Sequence, residues 1–262
     1  MALLTLQKIK KGSGTVGIPL IFSIVIFGAW EIAVFLLQVP GYLLPPPSVI
    51  FTELGTNFSV LLGHMGITML AAVLGYSLAN TVGFTAGVIF AHSKTIEKGI
   101  YPYAIALKTT PVIAMAPLLV LWFGTDLESK IATAALICFF PIIVNTVKGL
   151  TSIDADSLDL FKSYSASTWQ IFIKLRLRTS LPYVFSALKI STGLSVVGAV
   201  VGEFVGANKG IGYLILVSSY HLETSTMFAA IMMSALGGVT FFAIISLVEK
   251  KVIFWQKALE TG

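Results

Sequence analysis

Leu62 to Phe90 reads LGHMGITMLAAVLGYSLANTVGFTAGVIF, with no Asp, Glu, Lys or Arg. A helix needs about 20 apolar residues to cross the hydrocarbon of a bilayer. This run exceeds that, so it tilts or extends past the bilayer. Five further stretches read alike: about Gly17 to Leu37, Gly99 to Phe123, Lys130 to Val147, Leu181 to Phe204 and Thr226 to Val248. The 262 residues are 56% hydrophobic and 11% charged, against about 25% charged in a soluble domain. That balance excludes a cytosolic enzyme, a disordered chain and a secreted disulfide scaffold. The expected fold is all-α: a polytopic membrane protein with about six transmembrane helices.

Basic residues fall on alternate loops. One set is Lys8, Lys10, Lys11, Lys94, Lys98, Lys148, Lys162, Lys174, Arg176, Arg178, Lys250, Lys251 and Lys257. The opposite loops hold Lys130 and Lys209. The positive-inside rule places the larger set, and both termini, in the cytoplasm. The net charge of +5 is therefore an orientation signal, and no nucleic-acid partner is expected. Residues 1–16 are read as a cytoplasmic N-terminal tail, 17–250 as the membrane domain and 251–262 as a C-terminal tail. The first span carries Glu31 and lacks a small-x-small cleavage site, so it reads as a retained helix.

Two segments do not span. Pro40 to Pro47 is an extended, proline-rich stretch, after which Ser48 reads as the N-cap of a short helix through Leu54. Ser152 to Ser180 is too polar to span, yet Leu158, Phe161, Tyr164, Trp169 and Phe172 recur mostly at steps of three. It reads as one or two short amphipathic helices, capped by Asp156 or Ser157 and joined near Ser165-Ala166-Ser167.

Chemistry-bearing motifs are sparse. No Gly-x-x-x-x-Gly-Lys-[Ser/Thr] occurs, so the chain has no P-loop. Gly12-Ser13-Gly14-Thr15-Val16-Gly17 matches Gly-x-Gly-x-x-Gly but lacks the strand and βαβ unit that motif needs; it reads as a flexible approach to the first span. His64, His92 and His221 show no metal-ligand spacing. Cys138, in an apolar run, reads as core filler. No catalytic residue, metal or bound cofactor is expected. Gly83 to Gly87 and Gly202 to Gly206 are Gly-x-x-x-Gly steps of close helix packing.

Intramembrane charge is costly and invites a functional reading. Lys108 precedes Thr109-Thr110-Pro111, whose proline breaks the helix locally. It either lines a solute path or is a lysine that snorkels or pairs with a carboxylate. Glu203 lines an outer gate or, as favoured, pairs with a neighbouring helix. Glu31 reads as a packing or ion-pair residue.

The run Asp159-Leu160-Phe161-Lys162-Ser163-Tyr164-Ser165-Ala166-Ser167-Thr168-Trp169, continuing to Leu175-Arg176-Leu177, resembles the EAA loop of binding-protein-dependent ABC importer permeases. That loop reads Glu-Ala-Ala, three residues, Gly, nine residues, Ile-x-Leu-Pro. Here Asp159 stands for Glu, Leu160 and Phe161 for the alanines, Ser165 for Gly and Arg178 for Pro. Leu44-Pro45-Pro46-Pro47-Ser48, Ala116 to Gly124, Gly202 to Ala207 and Lys209 to Ile215 resemble the sulfonate, taurine and nitrate branch. That branch includes carriers of thiamine-pyrimidine precursors and riboflavin. The likeness runs from about Leu43 to Trp255.

The resemblance implies a type I ABC importer permease in the inner membrane, working as a dimer with a second copy of this chain. Two ATP-binding cassette subunits, which carry ATP-Mg, would sit below, and an extracytoplasmic solute-binding protein outside. Segment 152–180 would couple to the ATPases, through Asp159, Leu160, Phe161, Ser165, Ala166, Ser167 and Trp169. Lys108, Thr109, Thr110, Pro111 and Glu203 are the candidate translocation-path residues. Lys108 to Val112 and Phe139 to Val147 look more like the heterocycle-carrying members than the sulfonate carriers. The alternative is a self-sufficient secondary transporter or channel. It would need intramembrane acids for ion coupling, for which Glu31 and Glu203 are the candidates.

Overall fold

The computed structural model describes the backbone of residues 2–93, 95, 98, 99 and 110–255, and within these the side chains from Gly17 onward. Every regular element among them is helical. In chain order they are α1 (Ala2–Leu36), α2 (Pro47–Thr56), α3 (Phe58–His92), α4 (Val112–Phe123), α5 (Leu127–Thr151) and α6 (Ala155–Ser163). Then come α7 (Thr168–Ile171), a π turn (Phe172–Arg176), α8 (Leu177–Phe204), α9 (Ile211–Tyr220) and α10 (Thr224–Val252).

Five helical stretches among the described residues are long and apolar enough to cross a membrane: Gly17–Leu36, Phe58–His92, Leu127–Thr151, Thr168–Phe204 and Thr224–Val252. They match five of the six expected spans. The remaining one, about Gly99 to Phe123, falls partly on residues 100–109, outside the described residues; α4 is its described part. The fifth expected span starts earlier than its hydropathy suggests. Lys174, Arg176 and Arg178 lower the hydropathy without interrupting the helix, which runs from Thr168 to Phe204. The Gly12 to Gly17 run is helical, inside α1, rather than a flexible approach.

The core is a three-helix layer with α5 between α3 and α8. Lipid tails are as apolar as the side chains, so small residues that permit close backbone approach hold such helices together. A Cβ on Gly75 of α3 would lie 2.6 Å from the Ala134 Cβ of α5, and one on Gly87 would lie 2.6 Å from the Thr146 Cβ. On the other side, a Cβ on Gly198 of α8 would lie 2.6 Å from the Ala134 Cα, and one on Gly202 would lie 3.1 Å from the Lys130 Cα. Gly83, Gly87 and Gly202 thus pack as expected, whereas Gly206 lies past the end of α8 with φ +80°. A second core joins α2, α3, α9 and α10 through Ile50, Leu61, Met65, Ile211, Ala229, Ala230 and Met233. Helix α1 is peripheral and exposes Ile18, Ile21, Phe22, Ile24 and Phe35, the surface a lipid-facing helix presents.

Candidate functional site

The segment between α5 and α8 folds as a capped elbow. Asp154, rather than Asp156 or Ser157, caps α6: its carboxylate accepts the Ser157 N–H at 2.7 Å. Hydrogen bonds from the Ser157 backbone and hydroxyl hold the Asp154 carboxyl below the usual carboxylate range. Helix α6 ends in a Schellman motif. The Ala166 N–H donates to the Phe161 carbonyl at 3.0 Å, and the Ser165 N–H to the Lys162 carbonyl at 2.8 Å. This motif puts Ser165 at φ +53°, a left-handed position that glycine fills most readily. Ser167 then opens α7 with a capping box. Its N–H donates to the Gln170 side-chain oxygen at 2.8 Å, and its hydroxyl accepts the Gln170 N–H at 3.3 Å. The chain therefore turns at Ser165-Ala166-Ser167, as its sequence suggests. Its second helix is no separate piece, because it continues into the span.

No residue of α6, α7 or the π turn is buried. Leu160, Tyr164 and Trp169 are 56%, 80% and 68% exposed. Phe161 and Ala166 line the inner corner of the elbow with Leu160, Tyr164, Gln170 and Lys174, around a cavity of about 390 Å³. Asp159 pairs with Lys162 at 3.1 Å on the open surface, where such a pair contributes about 0–1 kcal/mol.

The candidate path residues do not form one cluster among the described residues. Lys108 and Thr109 lie outside them. Thr110 is exposed, and Pro111 stands as the N-cap of α4 in an extended conformation. Glu203 is elsewhere, 1% exposed at the far end of α8. Its carboxylate accepts the Thr68 hydroxyl at 2.8 Å and the Gly212 N–H at 2.7 Å. The Ile211 N–H donates to the Thr68 hydroxyl at 2.8 Å, and the Gly210 N–H to His64 Nδ1 at 3.0 Å. Glu203 thus closes the N-terminus of α9 and joins it to α3 and α8.

Glu31 acts similarly on α2. Ser48 is not the N-cap; that position is Pro46. Instead, the Ser48 N–H and hydroxyl donate to the Glu31 carboxylate at 3.0 and 2.7 Å. Lys130 is no loop residue but sits buried in the first turn of α5. Its ammonium donates to the Thr125 carbonyl, and to the Asp126 carbonyl at 2.8 Å.

Among the described residues, sequence reasoning missed one ion pair between two span-length helices. Lys189 of α8 meets Glu249 of α10 at 2.7 Å, with side chains 26% and 20% exposed. A lone lysine inside the Leu181 to Phe204 run was the available signal. Glu249 stands beside Lys250 and Lys251 and passes for part of a solvated helix end.

The comparisons with known proteins agree with this architecture. Residues 79–254 match the family of binding-protein-dependent transport system inner membrane components. The chain is 34% identical over 240 residues to the formylaminopyrimidine transport permease protein ThiX of Halalkalibacterium halodurans, covering 91% of this chain and 96% of that protein. It is 32% identical to the riboflavin transport system permease protein RibX of Chloroflexus aurantiacus, covering 87% of this chain and 85% of the relative. It is also 32% identical to the putative aliphatic sulfonates transport permease protein SsuC of Bacillus subtilis, covering 92% and 88%. In fold it resembles a chain of the MetNI methionine ABC transporter, with a TM-score of 0.66 at 16% identity over 74% of this chain and 97% of that one. The helical bundle, its apolar spans and these relatives make this a multi-pass inner-membrane transport component: the chain belongs to the binding-protein-dependent inner-membrane permeases of ABC importers.

Proposed function

We infer that this chain forms the solute path of its importer, with partner ATPases docking on the Asp154–Trp169 elbow. The observation that carries this reading is the elbow's construction. It is fixed at both ends by caps and fused to a spanning helix, yet it exposes Leu160, Tyr164 and Trp169 and none of its own helical residues is buried. A surface of that kind fits a partner's groove, and Asp159, Phe161, Ser165, Ala166 and Ser167 shape it. Hydrolysis of ATP-Mg belongs to the partners, because the chain has no P-loop. Both termini face the cytoplasm by the distribution of Lys and Arg. Two copies of the chain enclose the path, a solute-binding protein delivers solute from outside, and Lys108, Thr109, Thr110 and Pro111 line the way through. ATP-driven closure of the partners moves the elbow and reopens the helices outward.

The solute is a small heterocycle of the thiamine-precursor or riboflavin kind. ThiX and RibX, named for formylaminopyrimidine and riboflavin transport, support this. A sulfonate or small oxyanion is the second reading, favoured by the 32% identity to SsuC. Mild-detergent purification from native membranes, with mass spectrometry of what accompanies the chain, tests the assembly. An accompanying P-loop ATPase is expected, and the ligand bound to the co-purified binding protein would identify the solute. The chain emerging alone, repeatedly and under gentler extraction, would sink this reading in favour of a self-sufficient carrier.

A further inference from the structure

The rod from Thr168 to Phe204 changes pitch once. Phe172–Arg176 is a π turn, with the Leu177 N–H donating to the Phe172 carbonyl five residues back. Backbone angles stay helical on both sides, at −60°, −44° for Ile171 and −63°, −43° for Leu177. A π turn is an α turn carrying one extra residue, and single π turns inside α-helices concentrate at functional sites. Nothing local in the sequence asks for one here: Phe172-Ile173-Lys174-Leu175-Arg176 has neither proline nor glycine.

Its position is the informative feature. Before it lies the elbow, with no buried residue. After it the rod is locked into the bundle: Ser180 is fully buried, and a Cβ on Gly149 of α5 would lie 2.9 Å from the Ser180 Cα. Between them, the Phe172 ring touches the Trp169 ring, with centroids 5.7 Å apart, and the His92 ring of α3 edge-on at 5.2 Å. Side-chain packing at that point is aromatic and open, while the neighbouring bundle has no room to shift.

We propose that this π turn is the joint of the elbow. Its extra residue passes toward α7 and back, so that α7 turns about the α8 axis and moves α6 through the Ser165-Ala166-Ser167 turn, while the bundle beyond Ser180 stays in place. One residue of helix corresponds to about 100° of rotation and about 1.5 Å of rise, so the shift re-aims the residues it passes, the exposed Trp169 of α7 among them. The proposal rests on the elbow being the ATPase-facing part.

Deletion of Ile173 tests it, because removing the extra residue turns the π turn into an α turn with both flanks in phase. In the assembled transporter, ATP hydrolysis and co-purification of the ATPase are expected to persist. Uptake per ATP falls by about tenfold or more, within the span of coupling energies between linked sites. An assembled deletion variant with wild-type uptake per ATP overturns the proposal. Should the deletion prevent assembly, spin labels decide. Ser163→Cys and Ser186→Cys, both at exposed positions, are introduced with Cys138→Ser, and labelled chain is diluted with unlabelled chain. An intrachain distance that changes on ATP binding is expected, and one that does not change overturns the joint. A wild-type chain that purifies without any ATPase would overturn the functional reading and the joint together.

Discussion

The Thr68 hydroxyl of α3 donates to the Glu203 carboxylate of α8 at 2.8 Å, across 135 positions of sequence, and the pair closes the N-terminus of α9. The first N–H groups of a helix have no partner inside it and carry partial positive charge. Here Gly210, Ile211 and Gly212 donate theirs to His64, Thr68 and Glu203 respectively. Glu31 does the same for α2 through Ser48. The two acids read from the sequence as candidates for ion coupling are both engaged as helix caps.

Removing the Glu203 carboxylate is therefore expected to destabilise the bundle. Glu203→Ala leaves the Gly212 N–H without an acceptor and the Thr68 hydroxyl with the His64 carbonyl at 3.3 Å alone, and an unpaired buried group costs about 1–3 kcal/mol. Glu203→Gln keeps one acceptor oxygen and costs less. Gly210→Ala puts a Cβ 2.3 Å from the Glu203 carboxyl at φ +110° and should be as damaging as Glu203→Ala. Thermal unfolding in detergent orders the three variants, and equal stability of Glu203→Ala and wild type would show that the cap is dispensable.

Glycine substitutions map the α3–α5–α8 layer. Gly75→Leu and Gly198→Leu each put a Cβ 2.6 Å from Ala134, from its Cβ and its Cα respectively, and overpacking of this kind costs about 1–3 kcal/mol or more. Gly193, also in α8, has nothing within 4 Å of its Cβ position, so Gly193→Ala should fold normally. The yield of monodisperse protein in detergent separates the two groups.

The Schellman turn makes Ser165 sensitive to branching. Left-handed backbone costs an L-residue about 1–2 kcal/mol, so Ser165→Gly is expected to keep or raise stability and to preserve uptake. Ser165→Val distorts the turn and uncouples ATP hydrolysis from uptake. Parallel assays of both activities check this, and coupled transport by Ser165→Val would count against the elbow assignment.

The Asp154 cap adds a pH dependence. Its folded value lies below the reference of 3.8, so its stabilisation is fully present above that pH. It is lost as pH falls through the depressed folded value. Limited proteolysis between α5 and α7 should accelerate below that window in wild type. Asp154→Asn, which keeps an acceptor but cannot ionise, should show no such acceleration.

The Lys189–Glu249 pair is expected to behave as a unit. Glu249→Lys or Lys189→Glu leaves like charges together in a partly buried site, at a cost of about 1–3 kcal/mol after allowing for their exposure. The double charge swap should restore most of the loss, and a thermal-unfolding cycle over the four proteins reads the coupling directly. Additive losses would mean that the two residues act independently.

Sequence alone determined what depends on near neighbours. Apolar length marks the spans at Gly17–Leu36, Phe58–His92 and Leu127–Thr151, because a helix buries or exposes residues by local periodicity. The turn at Ser165-Ala166-Ser167 was legible because Schellman and capping-box bonds join residues three to five apart. Tertiary structure decided the partners of the polar groups. Ser48 looked like a cap by position, but Glu31, 17 residues earlier, holds it. Glu203 could have faced a path or a neighbouring helix until α3 and α9 brought Thr68 and Gly212 to it. Burying a carboxylate or a helix end requires acceptors and donors from whatever chain lies nearest in space. Helix packing, set here by the small residues along α3, α5 and α8, chooses that neighbour.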